Sequence, residues 1–170
     1  MAIIKHTVNW FKGESFEGGM IILWGLLVIG LATYFWKFGH SSTIRIMIIP
    51  FFVVGLFWGG AGGIGLYVNS HRVEKFKIEY NKAPAIFIES EKKRVEGFFK
   101  WYPYLLAGWS VLILIGLSVF MFWGGTLGRA IGLAVILFAV PGLLVDHTSE
   151  HNARTYYSEI KKALDANEQR

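Results

Sequence analysis

The chain contains no cysteine, so disulfides, thiolate metal sites and cysteine nucleophiles are excluded together, and the redox compartment stays open. Charge is also scarce: Asp, Glu, Lys and Arg make up 17% of the 170 residues, against 54% hydrophobic. Soluble domains carry about a quarter charged residues, so this is the balance of a membrane protein. The scarcity is uneven. Four apolar blocks have cores free of Asp, Glu, Lys, Arg and His, which removes the intramembrane relay that a proton- or cation-coupled carrier needs. The first block also lacks a small-x-small cleavage site and is read as a retained span, not a signal peptide.

What the sequence does have is length in those blocks. Spans are expected at 18–36, 46–68, 103–123 and 128–145, close to the roughly 20 residues that cross a hydrocarbon core. Pro50 is expected in the first turn of the second span, where a missing amide is tolerated. Residues 1–17 read as an interfacial leader, with Ile3, Ile4, Val8 and Phe11 near helical spacing. Residues 69–102 read as a cytoplasmic helical segment broken near Ala83-Pro84. Its second piece has an apolar face of Ile88, Val95, Phe98 and Tyr102, and i,i+4 pairs Glu89–Lys93 and Glu96–Lys100. Residues 146–170 form a cytoplasmic helical tail. The expected fold is thus an all-α integral membrane protein of one domain, with four transmembrane helices arranged as two helical hairpins.

Fourteen of the 17 Lys and Arg lie in the leader, the middle segment and the tail, and three in the short turns. The positive-inside rule then puts both termini in the cytoplasm, N-in/C-in, in an inner membrane whose anionic headgroups attract the basic segments. Interleaved glutamates dilute any phosphate-binding footprint, so no nucleic-acid partner is expected. An internal repeat is also visible: VIGLA at 28–32 aligns with LIGLS at 114–118, and His71, Phe76, Glu79 and Lys82 align with His151, Tyr156, Glu159 and Lys162. The two units would be parallel repeats about an axis along the membrane normal.

Two constellations could carry more than architecture. Gly55, Gly59 and Gly63 stand four apart, so on a helix they form a stripe that admits another backbone, within the bundle or from a second subunit. His147 and His151, one turn apart around Glu150, could ligate a metal or haem at a cytoplasmic mouth together with His71. HxxEH is also the inverted zinc-protease pattern, but the tail leaves little room for a further acidic ligand. The leading expectation is a non-catalytic, polytopic subunit or binding partner in a larger inner-membrane assembly, such as a secretion or respiratory complex, or an immunity-type protein. It has no cofactor, and a membrane-protein partner or a homo-oligomer is expected. The alternatives are a metal- or haem-binding membrane protein and an oligomeric channel or transporter.

Overall fold

The computed structural model describes residues 2–168, with side chains from 3 to 165. It consists of four helices, α1 (Ala2–Phe38), α2 (Ser42–Lys82), α3 (Pro84–Phe122) and α4 (Gly125–Glu168), with no strand among the described residues. Local chemistry sets the breaks. Ser41 caps α2 by accepting the Ile44 amide at 3.3 Å. Ala83 alone separates α2 from α3, because Pro84 cannot continue a helix but starts one well. Gly125 opens α4 with a φ of +91°, a conformation that favours glycine.

The helices hold 37 to 44 residues, which makes each about 55–65 Å long and about twice the hydrocarbon thickness. All four are long and apolar enough to cross a membrane. Each has one apolar half and one polar half, and the polar halves meet at one end of the bundle. There Ile3, Trp10, Phe87, Ile88, Val95, Tyr102, Ala153, Tyr156 and Ile160 form a shared core. Residues 2–17, read from sequence as an interfacial leader, instead continue α1 without interruption and bury Thr7 and Phe11. The reason is a partner that periodicity along α1 alone does not reveal: the polar halves of α2, α3 and α4 supply an apolar wall against which those residues pack. Pro50 lies inside α2, one full turn further in than expected, because the helix already begins at Ser42.

In the apolar halves, close approach depends on glycine. α1 and α2 run in opposite directions past each other, with Gly18 against Gly62, Gly25 against Gly55 and Phe35 against Phe51. A Cβ on Gly55 would stand 2.6 Å from an Ile29 side-chain carbon and 2.8 Å from the Gly25 carbonyl oxygen. α3 meets α4 in the same way, Gly116 lying over Gly132 and Ile136. α4 is the central helix, with 39% of its most apolar window buried against 6% for α3.

Pro141 gives α4 a further role. A proline in a helix interior has no N–H for the carbonyl four residues earlier, here Leu137. Trp24 of α1 donates its indole N–H to that oxygen at 3.1 Å, and Trp58 of α2 donates to the next carbonyl, Phe138, also at 3.1 Å. Trp58, Trp109 and Phe138 then pack ring on ring, with centroids 5.5–6.1 Å apart. The lost backbone bond of α4 therefore ties α1 to it, and the neighbouring carbonyl ties α2.

Candidate functional site

The polar half contains two layers of buried hydrogen-bonding side chains. In the layer further from the apolar half, Glu91 of α3 is 2% exposed. Arg94, one turn on, grips it with two charge-assisted bonds of 2.8 and 2.7 Å. The second Glu91 oxygen also accepts from Tyr156 at 3.0 Å, and the Tyr156 hydroxyl lies 2.8 Å from that of Thr7. The Arg94 guanidinium sits over Trp10 at 4.4 Å, with Phe76, Phe98 and Phe11 at 5.2–5.9 Å. An aromatic cage of this kind stabilises a cation that has left water. The Tyr156 hydroxyl is pushed up from its usual pKa by burial and by the Glu91 charge. Glu91 and Arg94 thus neutralise each other inside a hydrogen-bonded network, while the buried Trp10 indole N–H beside them has no acceptor among the described residues.

The second layer, at the junction of the polar and apolar halves, is not satisfied. Asn69 of α2 is 6% exposed and donates from Nδ2 to the Phe11 carbonyl and to Ser15 Oγ, both at 2.9 Å. Ser15 spends its own proton on the same carbonyl, so the amide orientation is fixed and Asn69 Oδ1 has no donor. An acceptor shut off from water in this way costs about 1–3 kcal/mol. Glu17, 8% exposed, accepts from Asn152 of α4 at 2.9 Å. Burial raises its pKa to about 7, the Glu14 and Asp146 charges add to the rise, and the Asn152 bond opposes it. Burial also raises Glu14, against the pull of Arg94 and Arg72. Among the described residues no ion pair engages Glu14, Glu17 or Arg72. Asp146, raised by burial, accepts from the Trp109 indole, and Tyr102 lies 3.1 Å from Ser149.

Glu14, Glu17, Asn69 and Arg72 line an open cleft of about 520 Å³ between α1 and α2, closed at one point by Val145 of α4. Its remaining walls are apolar or glycine. It lies where the chain changes from polar to apolar, so one end of it is charged and the other greasy.

The residues singled out from sequence are placed differently. His71 is exposed on α2, its Nδ1 2.9 Å from the Tyr67 carbonyl and its ring against that tyrosine. His147 and His151 are exposed one turn apart on α4, and Glu150 accepts from Arg154 at 2.6 Å. Among the described residues no three His, Asp or Glu side chains come together to hold a metal. Of the glycine stripe, Gly55 packs on α1 and the Gly59 backbone receives Gly25, whereas Gly63 is exposed and a Cβ there would touch nothing within 4 Å. Gly62 occupies the inward position instead, against Ile22 and the Gly18 carbonyl. The helices pack at alternating three- and four-residue steps, and a strict four-residue step drifts off that seam.

The same stepping is the signal that would have found the buried polar residues. Ile3, Thr7, Trp10, Glu14, Glu17 and Ile21 are alternately four and three apart, and so are Ile88, Glu91 and Val95. A polar residue in register with a core stripe is a buried polar residue.

The molecule is a four-helix, membrane-competent bundle with an unsatisfied polar junction. No family model, curated protein or solved structure matches the chain.

Proposed function

We infer that the chain is a multi-pass protein of the cytoplasmic membrane with both termini in the cytoplasm. It acts without catalysis, as a subunit or binding partner within a larger membrane assembly. The observation that carries this reading is the state of α3. It carries the most apolar 18-residue window of the four helices, at mean hydropathy 2.4, yet only 6% of that window is buried within the chain. Tyr104, Gly108, Val111, Ile115, Ser118 and Phe122 run down its outer side at three- and four-residue steps, all exposed. A helix so little used by its own bundle has a whole face free for another transmembrane helix, and Gly108 on that face allows close approach.

The orientation is supported by the gathering of the basic polar halves at one end. A two-hairpin plan is supported by the pairing of α1 with α2 and of α3 with α4, each closing on glycines. Those glycines do not fall at the offset of 86 that aligns VIGLA with LIGLS, so they support a two-unit plan and not that register.

The test uses Gly108→Cys and Ile115→Cys in the otherwise cysteine-free chain, cross-linked in native membranes and then solubilised gently. The expected product is a particle heavier than one 19.2 kDa chain, joined through α3. A monodisperse monomer with no cross-linked neighbour would sink this reading.

A further inference from the structure

We propose that the junction cleft is a binding site for a phospholipid bearing a primary amine, a phosphatidylethanolamine-type lipid, with its ammonium between Glu14 and Glu17 and its phosphate at Arg72. The inference rests on the chain crossing a bilayer with this junction at the headgroup level. Three independent features converge on it. The first is charge: two carboxylates and one guanidinium line the cleft, and among the described residues none of them is engaged in an ion pair. That is the complement of an ammonium and a phosphate a short distance apart.

The second is the Asn69 amide on the cleft wall, 6% exposed, whose Oδ1 lacks a donor. A primary ammonium has three N–H donors, enough for two carboxylates and, once the Asn69 side chain turns toward the cleft, its carbonyl oxygen. A quaternary choline has none. The third is the wall: Ile64 and Val68 continue from the charged end along α2 and are exposed, so an acyl chain can lie on them while the headgroup stays in the cleft. A soluble amine would leave that wall bare. A metal ion is disfavoured by the lack of a three-ligand cluster among the described residues. Burial raises the pKa of Glu17, and the cationic head of such a lipid beside it would lower that pKa again.

The cleft also separates two kinds of lipid contact. The basic surface of the polar half attracts anionic headgroups without geometry, whereas the paired carboxylates repel them.

The test is native mass spectrometry of the detergent-solubilised full chain titrated with phosphatidylethanolamine, phosphatidylcholine and phosphatidylglycerol of identical acyl chains. The ethanolamine lipid should bind about tenfold more tightly than the choline lipid. Glu14→Gln with Glu17→Gln should abolish that preference, while Glu96→Gln, remote from the cleft, should keep it. Arg72 is exposed, so Arg72→Gln should fold in any event; it should weaken both zwitterionic lipids alike and preserve their ranking. Equal binding of the two by the wild type overturns the proposal. So does a preference that survives the double substitution, or competition by free phosphoethanolamine as effective as the lipid. Failure of the chain to float with liposomes would instead overturn the membrane reading beneath it.

Discussion

At the scale of single residues, the buried Glu91–Arg94 pair makes the sharpest energetic statement. Removing one partner leaves the other charge without compensation, which for buried pairs costs about 3–5 kcal/mol; Arg94 keeps some solvent access, at 24% side-chain exposure, so a loss at the lower end is expected. Arg94→Met should therefore destabilise the chain by about 3 kcal/mol, measured by denaturant unfolding in mild detergent. Adding Glu91→Leu should recover most of that, since Tyr156 still has Thr7 as a partner. If the double variant is as unstable as the single one, the pair is not what holds this layer. Glu17 makes a prediction of a different kind. Its pKa is raised from 4.5 to about 7, so the folded chain holds the proton more tightly than the unfolded one. Its contribution is fully present below about pH 4.5 and is lost as pH rises through about 7. The thermal midpoint should fall between those values, and Glu17→Gln, which can still accept from Asn152, should flatten the decline. An unchanged slope would assign the pH dependence to other groups.

At the scale of elements, glycines that look alike in sequence have opposite consequences. Gly55→Ala and Gly62→Ala place a Cβ within 2.8 Å of a backbone oxygen on α1, and each should cost about 1–3 kcal/mol through forced separation of the helices. Gly60→Ala and Gly63→Ala meet nothing within 4 Å and should be neutral or stabilise by up to about 1 kcal/mol from helix propensity alone. Chemical unfolding of the four variants separates the two classes; a loss at Gly63 would imply that something beyond this chain packs there. Pro141 offers a second test of how helices are joined. Trp24→Phe removes the indole donor to Leu137 and should cost about 1 kcal/mol or more. In a Pro141→Ala background, where the restored backbone amide can bond that carbonyl itself, the same change should cost much less. Additive effects in this double-mutant cycle would break the link between the proline and the tryptophan.

At the scale of the whole molecule, the four helices and their apolar halves could be read from composition and run length, because hydrocarbon thickness imposes a length on any span. The break at Ala83-Pro84 was legible for a similarly local reason. What could not be read was which polar residues face inward. Glu14, Glu17, Asn69 and Glu91 are charged or polar residues in segments already marked as solvated, and only their register with neighbours on other helices buries the last three and half-buries Glu14. His71, His147 and His151 drew attention instead because they stand where polarity begins, but they point away from the core. The arrangement of the whole rests on one inference still to be measured, that the polar halves share the cytoplasmic side. The chain has no native thiol, so single cysteines report without background. Ser42→Cys, exposed at the start of α2, should react with a membrane-impermeant maleimide applied outside intact cells. Ser158→Cys, exposed on the polar half of α4, should react only after the cells are opened. Labelling of Ser158→Cys in intact cells would invert the topology, and would place the acidic cleft in the outer leaflet while leaving its chemistry unchanged.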